Sequence, residues 1–238
     1  MSYAMNREKG LFVAICGPNG VGKTRVVDEL ETLLKDDGRG VVRYKFPNYD
    51  PVRIDIDYGD LNNDWPVIAL PRRLGRELHA LVHGGFRIAS TTFPRKFQQL
   101  NFVDKMETWD GYDLGGGMGC DLAGGAVVIA EGWLAESLVY GRLSGVDRDD
   151  LLKMNEQLPL PDLTFILLGT IYVAARVSGH MFESTRPEVI DRETALYREE
   201  AAMNGWTGIE TTGKDPKKIA SEIRERFPEY LRKSVLPF

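Results

Sequence analysis

Residues 11–24, LFVAICGPNGVGKT, constrain this chain more than any other stretch. The apolar run LFVAIC reads as a buried strand, and the octet after it matches G-x-x-x-x-G-K-[ST] at Gly17, Gly22, Lys23 and Thr24. Such glycines let a loop wrap a phosphate with its backbone N–H groups turned inward. Lys23 is then expected to reach the β- and γ-phosphates, and the Thr24 hydroxyl to ligate Mg²⁺. Val26, Val27, Leu30, Leu33 and Leu34 fall on one helical face just downstream, and Gly38 sits past a plausible end. Strand, loop and helix in that order predict nucleotide binding, with the positive end of the helix facing the phosphates.

The 238 residues suffice for one large domain, and with no linker in view residues 1–238 are expected to form one. A net charge of −5 gives no basic footprint, so an extended nucleic-acid surface is not expected. Cys16 and Cys120 are far apart, and no disulfide framework or zinc pattern emerges. The N-terminus lacks the apolar core of a signal peptide, and no run reaches membrane-spanning length. The expectation is a cytoplasmic protein with no membrane partner; a homodimer is compatible with the sequence.

Further along, residues 41–46 (VVRYKF) read as a second strand ending at Pro47. The acidic, proline-containing stretch at about 48–71 reads as an insertion. Helical patterns follow at 72–84 and 95–109, then a glycine-rich stretch, DGYDLGGGMGCDLAGG, that predicts no helix. Residues 126–130 (AVVIA) and 163–168 (LTFILL) read as strands buried on both faces, and 206–210 as a weaker fifth. Helices are expected at 147–158, 187–204 and 216–227. Strands alternating with helices predict an α/β fold with a five-stranded parallel sheet.

Ligands of such sheets collect at the carboxyl ends of the strands. Glu131 follows a buried strand directly, where a carboxylate either places Mg²⁺, takes a proton from an acceptor hydroxyl, or pairs with a nearby arginine. Arg176, after the fourth strand, is placed either to meet a transferring phosphate or to form a surface ion pair. Arg53, Arg72, Arg73, Arg76 and Lys105 flank the presumed acceptor side and as a group supply a phosphate clamp. His79 and His83 share a helical face but lack a third metal ligand. Phe97, Phe102 and Met106 have core spacing, with stacking on a base as the alternative.

Taken in order, these blocks resemble the thymidylate kinase family of nucleoside monophosphate kinases from about Gly10 to Phe227. RYKFP at 43–47 is similar to the family's R-F-P, and LGRELHALV at 74–82 to the helix that follows it. FVDKMETW at 102–109 resembles F-x-A-x-R-x-E, with Lys105 at the arginine position. Glu131-Gly132-Trp133 stands where the family has Asp-Arg-Tyr, and Tyr140 matches a later tyrosine. PDLTFILL with AARVSGHMFE resembles the strand and lid that end in H-x-x-x-E, and TTGKDPKKIASEI the closing loop beside adenine. Four departures stand out: Asn19 for an acidic loop residue, and Tyr49, Gly132 and Lys105 where the family has arginine.

The resemblance implies a P-loop kinase with a lid, using ATP and Mg²⁺ to phosphorylate a nucleoside monophosphate in nucleotide biosynthesis. It assigns ATP to Gly17, Asn19, Gly20, Val21, Gly22, Lys23, Thr24, Gly213 and Lys214, and the metal to Thr24 and Glu131. Catalysis falls to Lys23, Glu131 and Arg176. The acceptor falls to Phe46, Pro47, Arg53, Arg72, Arg73, Phe102, Lys105, Trp133 and Tyr140. Two alternatives stay open: a deoxynucleoside kinase with Glu131 as base, and a nucleotide-binding regulatory protein without turnover.

Overall fold

The apolar run before the phosphate loop forms β1 (Leu11–Cys16), every residue of which is buried, as a strand flanked on both sides must be. The computed structural model describes residues 10–46, 94–111, 116–170 and 187–228. The other strands are β2 (Val41–Lys45), β3 (Val127–Glu131), β4 (Leu163–Leu168) and β5 (Thr207–Glu210). All pairings are parallel and the order is β2-β3-β1-β4-β5. Strand β1 is therefore flanked by β3 and β4, whose connections leave it in opposite directions. A crevice opens at such a switch point, outside the carboxyl ends of the strands.

Seven helices are described: α1 (Lys23–Asp36), α2 (Pro94–Asp110), α3 (Met118–Ala123), α4 (Leu134–Leu143), α5 (Arg148–Met154), α6 (Pro187–Asn204) and α7 (Pro216–Arg224). One sheet face packs on α1 and α7 through Val27, Leu30, Leu34, Ile219 and Ile223. Arg224 locks those two helices with a two-pronged ion pair to Asp37, at 2.6 and 2.7 Å. The other face carries Phe12, Ala14, Val128, Ala130 and Ile166 against Trp109, Met118, Trp133, Val139 and Tyr197. No helix among the described residues is long and apolar enough to cross a membrane.

Two helices depart from the sequence reading. The glycine-rich stretch contains α3, a short helix whose Met118 and Leu122 are buried against the second core. Burial of those two side chains outweighs the poor helix propensity around them. Helix α4 shows no apolar stripe, because Ala135, Ser137, Leu138, Val139 and Gly141 are buried around most of its circumference. Elsewhere the bounds move by a few residues; the helix expected at 147–158 ends at Met154, where Asn155 Nδ2 donates to the Leu151 carbonyl at 2.7 Å. The insertion at about 48–71, the helix at 72–84 and the lid lie outside the described residues.

Candidate active site

The phosphate loop turns at Gly17, whose φ is +145° and whose position leaves no room for a side chain. A Cβ there would sit 2.5 Å from the Leu167 carbonyl oxygen, so the loop can pass the end of β4 only as glycine. Gly22, with φ of 98°, turns the chain into α1, whose first N–H groups have no acceptor within the helix and adjoin the loop in sequence. Lys23 Nζ donates to the Gly17 and Pro18 carbonyls at 2.6 and 3.2 Å, which holds its ammonium over the loop.

Thr24, one residue on, donates its hydroxyl to Glu131 Oε1 at 2.7 Å. Glu131 is the last residue of β3 and 3% exposed. Its other oxygen, Oε2, accepts from Arg43 Nη2 at 2.5 Å, and Arg43 Nη1 donates to Asp28 of α1 at 2.5 Å. Burial pulls the Arg43 guanidinium pKa down, but the two carboxylates outweigh it and the net shift is upward. The chain Thr24–Glu131–Arg43–Asp28 thus ties α1, β3 and β2 together.

A threonine hydroxyl and a carboxylate are hard oxygen donors, and they meet at the mouth of the loop. Among the described residues no group of three or more His, Cys, Asp or Glu side chains is placed to hold a metal. That donor set fits Mg²⁺, which keeps most of its ligands as water and phosphate oxygens. When bound, the ion would neutralise charge on the phosphates, with Thr24 and Glu131 as its protein side.

On the far side of Glu131 the chain turns at Gly132, with φ of +87°. A Cβ there would lie 3.1 Å from the Phe46 carbonyl oxygen and 3.3 Å from the Glu136 carboxyl carbon. Beyond the turn, Lys105 is buried and donates to Ser137 Oγ at 2.5 Å. Burial lowers its pKa to about 8, against the opposing pull of Glu136, Asp104 and Cys16. Burial raises the Cys16 thiol, and Glu136 beside it adds to that shift. Tyr140 donates its hydroxyl to Glu193 Oε1 at 3.2 Å.

No family model matches the chain. It is 26% identical over 208 residues to a thymidylate kinase of Halalkalibacterium halodurans, covering 85% of this chain and 84% of that protein. A probable thymidylate kinase of Pyrobaculum aerophilum is 23% identical over 226 residues, 93% of this chain and 98% of its own length. The chain is thymidylate kinase-like.

For a thymidylate kinase-like chain, the structure brings together one half of the expected site. Gly17, Asn19, Gly20, Val21, Gly22, Lys23 and Thr24 form the loop at the end of β1, with Glu131 opposite. Gly213 and Lys214 lie in the loop after β5, beside the end of β4, where Thr211 N donates to the Leu168 carbonyl at 2.6 Å. Lys214 pairs with Glu222 at 2.9 Å. Lys105 and Tyr140 reach α4 and α6 partners, Ser137 and Glu193, and Phe102 is half-buried against the second core.

Phe46 and Trp133 have a packing role. Trp133 has no exposed surface, its indole N–H donates to the Pro159 carbonyl at 2.9 Å, and its ring meets Phe12 and Phe46 edge-on. Pro47, Tyr49, Arg53, Arg72, Arg73, Arg76, His79, His83 and Arg176, with the side chain of Phe97, lie outside the described residues. Sequence reasoning passed over Arg43 as a site residue, because a strand arginine carries no signal for a glutamate 88 residues away.

Proposed function

We propose that the protein transfers the γ-phosphoryl group of ATP to a (deoxy)nucleoside 5′-monophosphate and releases the diphosphate and ADP. One observation carries this reading: Lys23 sits over the phosphate loop while Thr24 next to it is held by Glu131 at 2.7 Å. The relatives named as thymidylate kinases support the same class and favour dTMP among acceptors. In such a reaction the protein mainly positions and stabilises charge. Lys23 and the loop amides bind and orient the phosphates, and Glu131 orients Thr24. The acceptor phosphate is then the task of the arginine group Arg53, Arg72 and Arg73, with Arg176 supplied from the lid.

A nucleoside kinase with Glu131 as base has one observation in its favour. Gly132 leaves the acceptor side without the cation that thymidylate kinases carry there. Against it, both Glu131 oxygens already accept hydrogen bonds, one from Thr24 and one from Arg43. A carboxylate so engaged is placed to orient a hydroxyl on the phosphate loop. A regulatory protein without turnover has no need of Lys23, Thr24 and Glu131 together.

The deciding experiment is ADP release with Mg·ATP and a panel of nucleosides, each against its own 5′-monophosphate. We expect kcat/KM to favour the monophosphate by about two orders of magnitude, as two charge-assisted contacts to phosphate provide. Nucleosides that match or beat their monophosphates would overturn the reading in favour of the nucleoside kinase.

A further inference from the structure

Glu193 is an acidic side chain with no exposed surface, and nothing so far gives it a task. Its Oε1 accepts from the Asn19 backbone N–H at 3.0 Å and from the Tyr140 hydroxyl at 3.2 Å. The two donors belong to different walls of the site. Asn19 lies within the phosphate loop, 174 residues away in sequence, and Tyr140 lies on α4, the helix that starts after Glu131 and Gly132. Tyr140 is also braced from α6, its ring edge-on to Tyr197 with centroids 6.3 Å apart.

Burying a carboxylate is costly unless hydrogen bonds compensate it. Placing one beside a loop whose amides suit an anion adds repulsion to that cost. What the arrangement supplies is a fixed anchor. It takes one loop amide and fastens it to an 18-residue helix by a 3.0 Å hydrogen bond to a carboxylate, a charge-assisted contact stronger than a neutral one. Sites hold their geometry when their groups are locked by such supporting contacts.

We infer that Glu193 is a positioning residue for the phosphate loop: it holds the Asn19 amide, and Tyr140 ties that setting to the acceptor wall. The inference rests on the kinase reading above and adds to it a residue that touches neither phosphate. Its test uses the full chain and two mild variants. Glu193→Gln keeps the shape and removes the charge; Tyr140→Phe removes one hydroxyl and keeps the ring.

The first readout is the Asn19 amide proton in an ¹⁵N-resolved spectrum of the free protein. A carboxylate acceptor holds it downfield, and Glu193→Gln should move it upfield. The second is calorimetric binding of a non-hydrolysable ATP analogue with Mg²⁺. Each variant should weaken binding by about tenfold, the scale of one charge-assisted hydrogen bond. The double variant should be little worse than Glu193→Gln alone, because both act through one oxygen. An unmoved Asn19 resonance, or analogue affinity within twofold of wild type in both variants, overturns the inference. The kinase reading fails separately: a wild type that binds the analogue yet phosphorylates no acceptor ends that reading and leaves this test intact.

Discussion

At the scale of single residues, Glu131 is the point where several expectations meet. A strand-end glutamate reads as a metal-placing group, a proton acceptor or the partner of an arginine; the structure shows the arginine pair, with the Thr24 hydroxyl beside it. Thr24 takes one oxygen and Arg43 the other. Glu131→Gln keeps the volume but sets an amide NH₂ against one of these two donors. The turnover number should fall by about two orders of magnitude, as when a transition-state electrostatic contact is lost. The Mg²⁺ needed for half-maximal rate should rise as well. A metal titration showing wild-type rate and wild-type midpoint would leave Glu131 as a strand cap. Lys105 gives a residue-scale prediction of another kind. Its proton leaves at about pH 8 in the folded chain and near 10.5, the ordinary lysine value, in the unfolded one. Below pH 8 the buried charge therefore lowers stability, and that loss fades as pH rises from about 8 to 10.5. Replacing Lys105 by Met should stabilise the chain relative to wild type by at most about 3 kcal/mol more at pH 7 than at pH 10. Melting curves for both proteins across that range decide it; parallel pH dependences would show that Lys105 is not the group responsible.

Among the elements, the five strands were legible because runs such as AVVIA and LTFILL allow little else once they are bounded by turn residues. Helices α1, α2 and α6 were legible from their apolar spacing. Helix α4 was not, since a helix buried on most sides has no periodic contrast to read. Nor was α3, whose glycines argue locally against a helix that Met118 and Leu122 impose through tertiary burial. The turn between β3 and α4 carries the element-scale prediction. Gly132 reads in sequence as a lost arginine, a change of chemistry. Its backbone shows a second reason, since φ of +87° is a conformation that side chains rarely adopt. Putting alanine at Gly132 should cost about 1–3 kcal/mol, the usual strain of a non-glycine residue there. Gly132→Arg should suffer at least as much and should not improve use of a monophosphate. A Gly132→Arg protein with wild-type melting temperature and lower acceptor KM would show that the turn tolerates the family's residue after all.

Across the whole molecule, the phosphate-loop half of the candidate site was legible because one contiguous motif specifies it, whereas its supports come from residues far apart in sequence. One signal for them was present but unused. On α6, Glu193, Leu196, Tyr197, Glu200 and Ala201 share one stripe, and a glutamate on an apolar stripe is a buried carboxylate in search of partners. Glu193 finds them at the phosphate loop. Glu200, two turns on, finds Arg142 of α4 at 2.7 Å and Arg148 of α5 at 3.0 Å, with Asn204 Nδ2 at 3.1 Å. Its side chain is wholly buried while each arginine keeps about a fifth of its surface, at 21%. This cluster joins three helices at one carboxylate and lies away from the phosphate loop. Breaking a buried ion pair by removing one partner costs about 3–5 kcal/mol, because the remaining charge is stranded. Here the arginines can turn partly to water, so Glu200→Ala should cost somewhat less, about 2–4 kcal/mol. In a chain of 238 residues that lowers the melting temperature by roughly 5–15 °C. Glu200→Gln should cost less than Glu200→Ala, since it keeps the volume and one acceptor. Below the new melting temperature both variants should bind the ATP analogue as wild type does, in contrast to Glu193→Gln. If Glu200→Ala instead weakened nucleotide binding tenfold with little change in melting temperature, the two glutamates would form one functional stripe rather than a latch and a clamp.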